Sequence, residues 1–230
     1  MECTNLILGD HYYQGLKYHM EDALAEVGEK TNSASSAPPF AKFARSYYQS
    51  IVNLNPEGQK IYDFCFIGST IINKAERQWV IDFAKKHFTT DSVFINTDPG
   101  HQSLGPFDKT NDPVFKGWYN PRRNNDNQSR KVQYRVVSEN EMYFRTMSQS
   151  KYILCPSGDG PWSFRFYETI MCGSIPVVES WHHTYRSAEE SKIGFKHFLI
   201  TDEIPIIDSQ DYKDLVSVNT ELFKKYHLIN

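Results

Sequence analysis

Residues Lys151–Glu179 read KYILCPSGDGPWSFRFYETIMCGSIPVVE. The short apolar run Tyr152 to Cys155 predicts a strand. Cys155-Pro156-Ser157-Gly158-Asp159-Gly160-Pro161 can continue neither a strand nor a helix, because proline and glycine crowd it. Ser163 suits the N-cap of a helix over Phe164 to Cys172, where its hydroxyl can accept from a first-turn N–H. Gly173 stands where a helix C-terminus favours a residue with positive φ. Ile175 to Val178 then reads as a buried strand with Pro176 near its start. The loop between such a strand and the following helix is where α/β folds bind anionic ligands.

Working outward, Tyr62 to Ile67 (YDFCFI) is an apolar strand that stops at Gly68-Ser69. From Asn73 to Phe88, the apolar set Ala75, Trp79, Val80, Phe83, Ala84 and Phe88 makes a helix stripe. Ser92 to Ile95 is a second short strand, so this region reads as βαβ. Asn96 to Lys131 is rich in Gly, Pro, Asn, Asp and Arg, with Trp118 and Tyr119 embedded. A structureless stretch of that length is uncommon inside a domain and reads as a mobile loop or a lid. Val132 to Val137 predicts a strand, and Ser138 opens a capped helix. Trp181 to Phe195 is polar and irregular, or a short helix. Beyond it come a strand over Phe198 to Thr201 and a helix over Tyr212 to Tyr226. Nearer the N-terminus, Asn5 to Leu8 suggests a short strand, Leu16 to Val27 has helical spacing, Gly28 to Pro39 is linker-like, and Phe40 to Asn53 is partly helical. The alternation predicts an α/β fold: a Rossmann-like, largely parallel sheet with flanking helices.

The 230 residues are 40% hydrophobic and 23% charged, an ordinary globular balance that allows one large domain, or one domain and part of a second. A net charge of -3 supplies no basic field, which argues against a nucleic-acid partner. Cys3, Cys65, Cys155 and Cys172 show no CxxC spacing and read as reduced core thiols, which favours a reducing compartment. No apolar run approaches the ~18 residues of a membrane span. No basic region followed by an apolar one marks a signal peptide. The expectation is a soluble, cytoplasmic chain.

Arg165 falls in the first turn of the predicted helix, beside N–H groups that carry a partial positive charge. Arginine suits bidentate phosphate contacts, and Gly158 would let backbone approach a ligand closely. Glu168 follows at i+3, where a carboxylate can accept from a ribose diol. Alternatively, Arg165 and Glu168 simply pair on the helix surface. A second strand end, Phe66-Ile67-Gly68-Ser69-Thr70, turns towards a helix carrying Arg77, and N–H groups at Gly68 and Ser69 could hold phosphate oxygens. An ordinary strand-to-helix turn is the plainer reading. Two such loops and two arginines suggest a nucleoside diphosphate, although neither a Walker loop nor a GxGxxG fingerprint is present.

The string LCPSGDGPWSFRFYETIMCGSIPVV resembles the C-terminal signature of exostosin-like glycosyltransferases. In that family, a strand ending in Cys-Pro-x-Gly leads to a Ser-x-Arg-x-x-Glu helix and then Gly-x-Ile-Pro-Val. The corresponding residues here are Cys155, Pro156, Gly158, Ser163, Arg165, Glu168, Gly173, Ile175, Pro176 and Val177. FCFIGST...ERQW, with Gly68 and Arg77, is similar to the family's strand-Gly segment and following helix. Gly9-Asp10-His11-Tyr12 is similar to its Asp-His-aromatic motif.

The resemblance implies a GT-B architecture with a reduced N-terminal half: an acceptor-side segment over 1–60, a nucleotide-sugar domain over 61–205, and a C-terminal helix over 206–230 packing back on the body. It implies inverting transfer of a monosaccharide from a nucleotide sugar, a UDP-sugar first, to a glycan or glycoprotein hydroxyl. No cofactor is required, and no metal is expected, since no Asp-x-Asp triplet is present. Arg165 and Arg77 become diphosphate contacts and Glu168 a ribose contact. Ser157, Gly158 and Ser163 line the phosphate or sugar end, and Gly68 and Ser69 remain the phosphate-holding turn of the second strand end.

An inverting transfer also needs a base facing the sugar. Asp10 and His11, directly after a predicted strand, are the candidates, ahead of His19 and Glu21. Trp118 and Tyr119 could stack on an acceptor sugar or pin their loop. His182 and His183 could reach the substrate; no carboxylate or third histidine gives them metal-ligand spacing. A fragment of a longer, anchored member would sit in the Golgi lumen. Two other functions fit the motif: a non-catalytic glycan- or nucleotide-binding module, and a GDP-fucose-dependent fucosyltransferase-like enzyme.

Overall fold

The computed structural model describes residues 43, 45–71, 74–98, 100–115, 141–157, 163–179, 191–202, 204 and 209–228. Within them five strands run in chain order: β1 (Tyr62–Gly68), β2 (Val93–Asn96), β3 (Ser150–Leu154), β4 (Ile175–Val178) and β5 (Phe198–Leu199). The helices are α1 (Arg45–Val52), α2 (Lys74–His87), α3 (Glu141–Ser148), α4 (Phe164–Met171) and α5 (Ser209–Tyr226). The strands form one sheet in the order β2-β1-β3-β4-β5, and every neighbouring pair is parallel. The fold is α/β, a Rossmann-like parallel sheet with helices on both faces.

The period-two alternation of the strands builds those faces. Cys65, Ile67, Val93, Ile95, Ile153 and Val178 point into one core cluster, shared with Tyr47 and Ile51 of α1, Tyr143 of α3 and Tyr167 of α4. Phe66, Phe94, Tyr152, Leu154, Ile175 and Val177 point into the other, shared with Trp79, Val80 and Phe83 of α2. Each large side chain so buried contributes roughly 1.5–3 kcal/mol, so covering both faces is what holds a parallel sheet together. Helix α5 serves both layers: Tyr212 joins the second cluster and Phe223 the first.

Strands β1 to β4 fall close to their predicted bounds. Strand β5 is shorter than Phe198 to Thr201, because Asp202 turns back on it. Its carboxylate accepts from the Leu199 N–H at 2.7 Å, and its own N–H donates to the Leu199 carbonyl at 2.9 Å. Residues 100–115 of the predicted loop pack along the sheet edge. The N–H of Phe94 donates to the Phe107 carbonyl at 3.0 Å, and the N–H of Lys109 donates to the Phe94 carbonyl at 2.9 Å. Phe107 is buried against Phe88 and Phe94. The remainder of that stretch, with Trp118, Tyr119 and the strand predicted at Val132 to Val137, lies outside the described residues.

Candidate functional site

The strand order turns back between β1 and β3, and open α/β sheets bind ligands in the crevice at the carboxyl ends of such strands. The two chain segments leaving that point are Ser69–Ile71 after β1 and Cys155–Ser157 after β3. Arg77, on the first turn of α2, joins them. Its Nη1 donates to the Ser69 carbonyl and its Nη2 to the Ser157 carbonyl, each at 2.7 Å. The guanidinium is therefore a staple across the crevice, fixing both loops at once.

Helix α4 rises from the far side of the same crevice. Ser163 is its N-cap, with extended backbone (φ -135, ψ 136) and a hydroxyl that accepts from the Arg165 N–H. The helix is buried on every face from Arg165 to Met171. That placement removes the surface-pair reading of Arg165 and Glu168: the two are only 8% and 7% exposed. Charged side chains are rarely buried to that extent unless paired or functional.

Arg165 reaches over the end of β1. Its guanidinium carbon lies 5.2 Å from the Phe66 ring centroid. A Cβ on Gly68 would fall 2.7 Å from its Nη2, so the missing side chain of Gly68 is what admits the guanidinium. Among the described residues the guanidinium has no hydrogen-bond or ion-pair partner, and its Nε is buried without one. Glu168, one turn on, accepts from the Tyr143 hydroxyl through Oε2 at 2.6 Å. The fully buried Tyr143 thus orients the carboxylate.

In the loop after β1, four donors face an anion belonging to the chain. Asp98, just past β2, accepts from the N–H groups of Thr70 and Ile71 at 2.7 and 2.9 Å, from the Thr70 hydroxyl at 3.0 Å, and from the Ser69 hydroxyl. Burial opposes ionisation of Asp98, but these donors outweigh it and hold its pKa below the ordinary carboxylate value. Behind it, Asn96 donates to the Thr70 hydroxyl oxygen at 2.8 Å and contacts Nδ1 of His101 at 2.9 Å, and Nε2 of His101 meets Asp108 at 2.5 Å. The Asn96 NH2 group faces Nδ1, which leaves Nε2 to donate to Asp108. The Ser69 hydroxyl hydrogen is thus directed at Asp98.

Of the residues expected at the site, the structure brings together Gly68, Ser69, Arg77, Ser157, Ser163, Arg165 and Glu168 at one end of the sheet. Asp10, His11 and Gly158 lie outside the described residues, as do His19, Glu21, His182 and His183. Asp98 and Tyr143 are the members that sequence reasoning missed. A hint was available for Asp98, an acidic residue directly after a strand end in the same sheet.

Cys65, Cys155 and Cys172 are buried free thiols. Burial pushes the first two up to about 12 and raises the third further, so none supplies a thiolate near neutral pH. A cavity of about 420 Å³, lined by residues including Tyr48, Lys60, Gly173, Tyr212 and Val216, opens at the amino ends of the strands, away from the crevice.

A profile of the Exostosin GT47 domain matches residues 71–189, which take in Arg77, Asp98, Ser157, Arg165 and Glu168. A rice protein (Oryza sativa subsp. japonica) named "Probable glucuronosyltransferase" is 32% identical over 81 residues. That alignment covers 35% of this chain and 17% of the rice protein. No solved structure matches. The profile spans just over half of the chain, from just after β1 to beyond β4 and so across the Arg165–Glu168 helix, and the chain belongs to the exostosin GT47 family.

Proposed function

We propose that the crevice between β1 and β3 holds the diphosphate of a nucleotide sugar, UDP-linked in the first instance, for inverting transfer of its monosaccharide to a glycan hydroxyl. The observation that carries this reading is Arg165. A guanidinium buried to 8% exposure, without a partner among the described residues, is costly unless a ligand completes it. A diphosphate at the N-terminus of α4 would receive two arginine N–H groups and the positive end of the helix. The same charge would stabilise the departing nucleoside diphosphate as the sugar leaves. Arg77 contributes positive potential and holds both loops, while Glu168, oriented by Tyr143, addresses the ribose.

The base that takes the acceptor proton is assigned to the N-terminal segment, to Asp10 or His11. The name of the rice relative makes a glucuronosyl donor the first one to examine. A thermal-shift screen of UDP, UDP-glucuronate, other UDP-sugars and GDP-fucose tests the assignment. A ligand at ~100 times its dissociation constant contributes about 2.7 kcal/mol, enough for a clear rise in Tm. Stabilisation by UDP and one UDP-sugar is expected. Stabilisation by GDP-fucose alone would move the chain to a different donor class, and no shift with any nucleotide would overturn the reading.

A further inference from the structure

A strand-to-helix loop at a switch point normally offers its N–H groups to a bound phosphate. Here the Thr70 and Ile71 N–H groups and the Ser69 and Thr70 hydroxyls converge on Asp98 instead. The carboxylate is anchored from its own side, since the Asp98 N–H donates to Asn96 Oδ1 at 2.9 Å. The Thr97 N–H donates to the Gly68 carbonyl at 3.0 Å, so the two strand ends are held together on either side of it. The loop so clamped presents the Ser69 carbonyl to Arg77, and Arg77 carries the restraint on to Ser157. Gly68, against which Arg165 lies, is the residue before Ser69.

We propose that Asp98 is a positioning residue of the donor site: a built-in anion that folds the β1–α2 loop, and through Arg77 sets both walls of the crevice. The proposal rests on the donor-site reading above. It divides the work of the site. The Thr70 and Ile71 N–H groups and the Ser69 and Thr70 hydroxyls serve Asp98 rather than a phosphate oxygen, and the ligand's charge falls mainly to Arg165 and the N-terminus of α4. Asn96 and the His101–Asp108 pair extend the clamp along the sheet edge.

The test is a double-mutant cycle read by calorimetric titration of UDP, with GDP in parallel, into the full chain. Asp98→Asn turns one acceptor oxygen into an NH2 group facing N–H donors. Ser69→Ala is the milder variant and carries the cycle if Asp98→Asn does not fold. Arg77→Lys keeps the charge but loses the two-point staple. Asp98→Asn is expected to weaken UDP about tenfold and Ser69→Ala about threefold, each roughly proportional to the loss of loop restraint. On the Arg77→Lys background neither adds a further loss, because the route through Arg77 is already cut.

Full additivity with Arg77→Lys would show a general structural effect and overturn the positioning role. Unchanged UDP affinity in both single variants would overturn it as well, while leaving the donor site standing. Absence of UDP and GDP binding by the unaltered chain would instead remove the donor-site reading, and the role of Asp98 with it.

Discussion

Gly68 and Arg165 are matched by absence: a single methyl group on Gly68 would meet the Arg165 guanidinium, with the Cβ 2.7 Å from Nη2. Gly68 is not among the glycines with positive φ, so alanine suits its backbone. The atom displaced is the far end of a flexible side chain. Gly68→Ala is therefore expected to cost under about 1 kcal/mol of stability while weakening UDP binding about tenfold or more. Chemical denaturation and calorimetric titration on the same variant check both halves. Equal binding by the variant would show that the guanidinium position does not matter.

Tyr143 and Glu168 form the second buried pairing of the site, at 2.6 Å. Tyr143→Phe preserves packing and removes one donor from a buried carboxylate. A loss of about 1–3 kcal/mol in urea denaturation is expected, with an unchanged m-value. If Glu168 addresses the ribose, UDP binding falls in the same variant while binding of inorganic pyrophosphate does not.

Lys60 gives a pH signature far from the crevice. Its amine donates to the Ser148 carbonyl at 2.7 Å, the Cys172 carbonyl at 3.1 Å and the Ser174 hydroxyl at 3.0 Å, tying together the C-terminal ends of α3 and α4. Burial lowers its pKa to about 7 from an ordinary value of 10.5. Between those values the unfolded chain keeps a proton that the folded chain has released. The Lys60 contribution to stability therefore rises with pH above about 7 and is lost as pH falls through it. Denaturation at pH 6.5 and 9.5 should show that rise in the natural chain relative to Lys60→Met. Parallel pH dependence in the two proteins would contradict it.

The fold was legible because its signals are local. Short apolar runs mark β1 and β3, Ser163 caps α4, and Gly173, with φ of 62, closes the turn after it. Arg165, Glu168 and Gly68 were legible as motif residues, but their surroundings were not. Burial of α4 on every face is a tertiary fact that turns an ordinary i+3 pair into two enclosed charges. Asp98 meets Thr70 from 28 positions away, Glu168 meets Tyr143 from 25, and Arg77 meets Ser157 from 80. No periodicity reports such side-chain contacts. A carboxylate that fills an anion nest looks, in sequence, like any aspartate in a polar loop.

The proposed role of Arg165 as the diphosphate contact is tested by the UDP affinity and the stability of Arg165→Met, taken together. Methionine keeps the length of the buried stem and removes an uncompensated charge. The variant is expected to be at least as stable as the natural chain by chemical denaturation, with UDP affinity reduced about 100-fold, roughly 2.7 kcal/mol. A variant that binds UDP as tightly as the natural chain would contradict it.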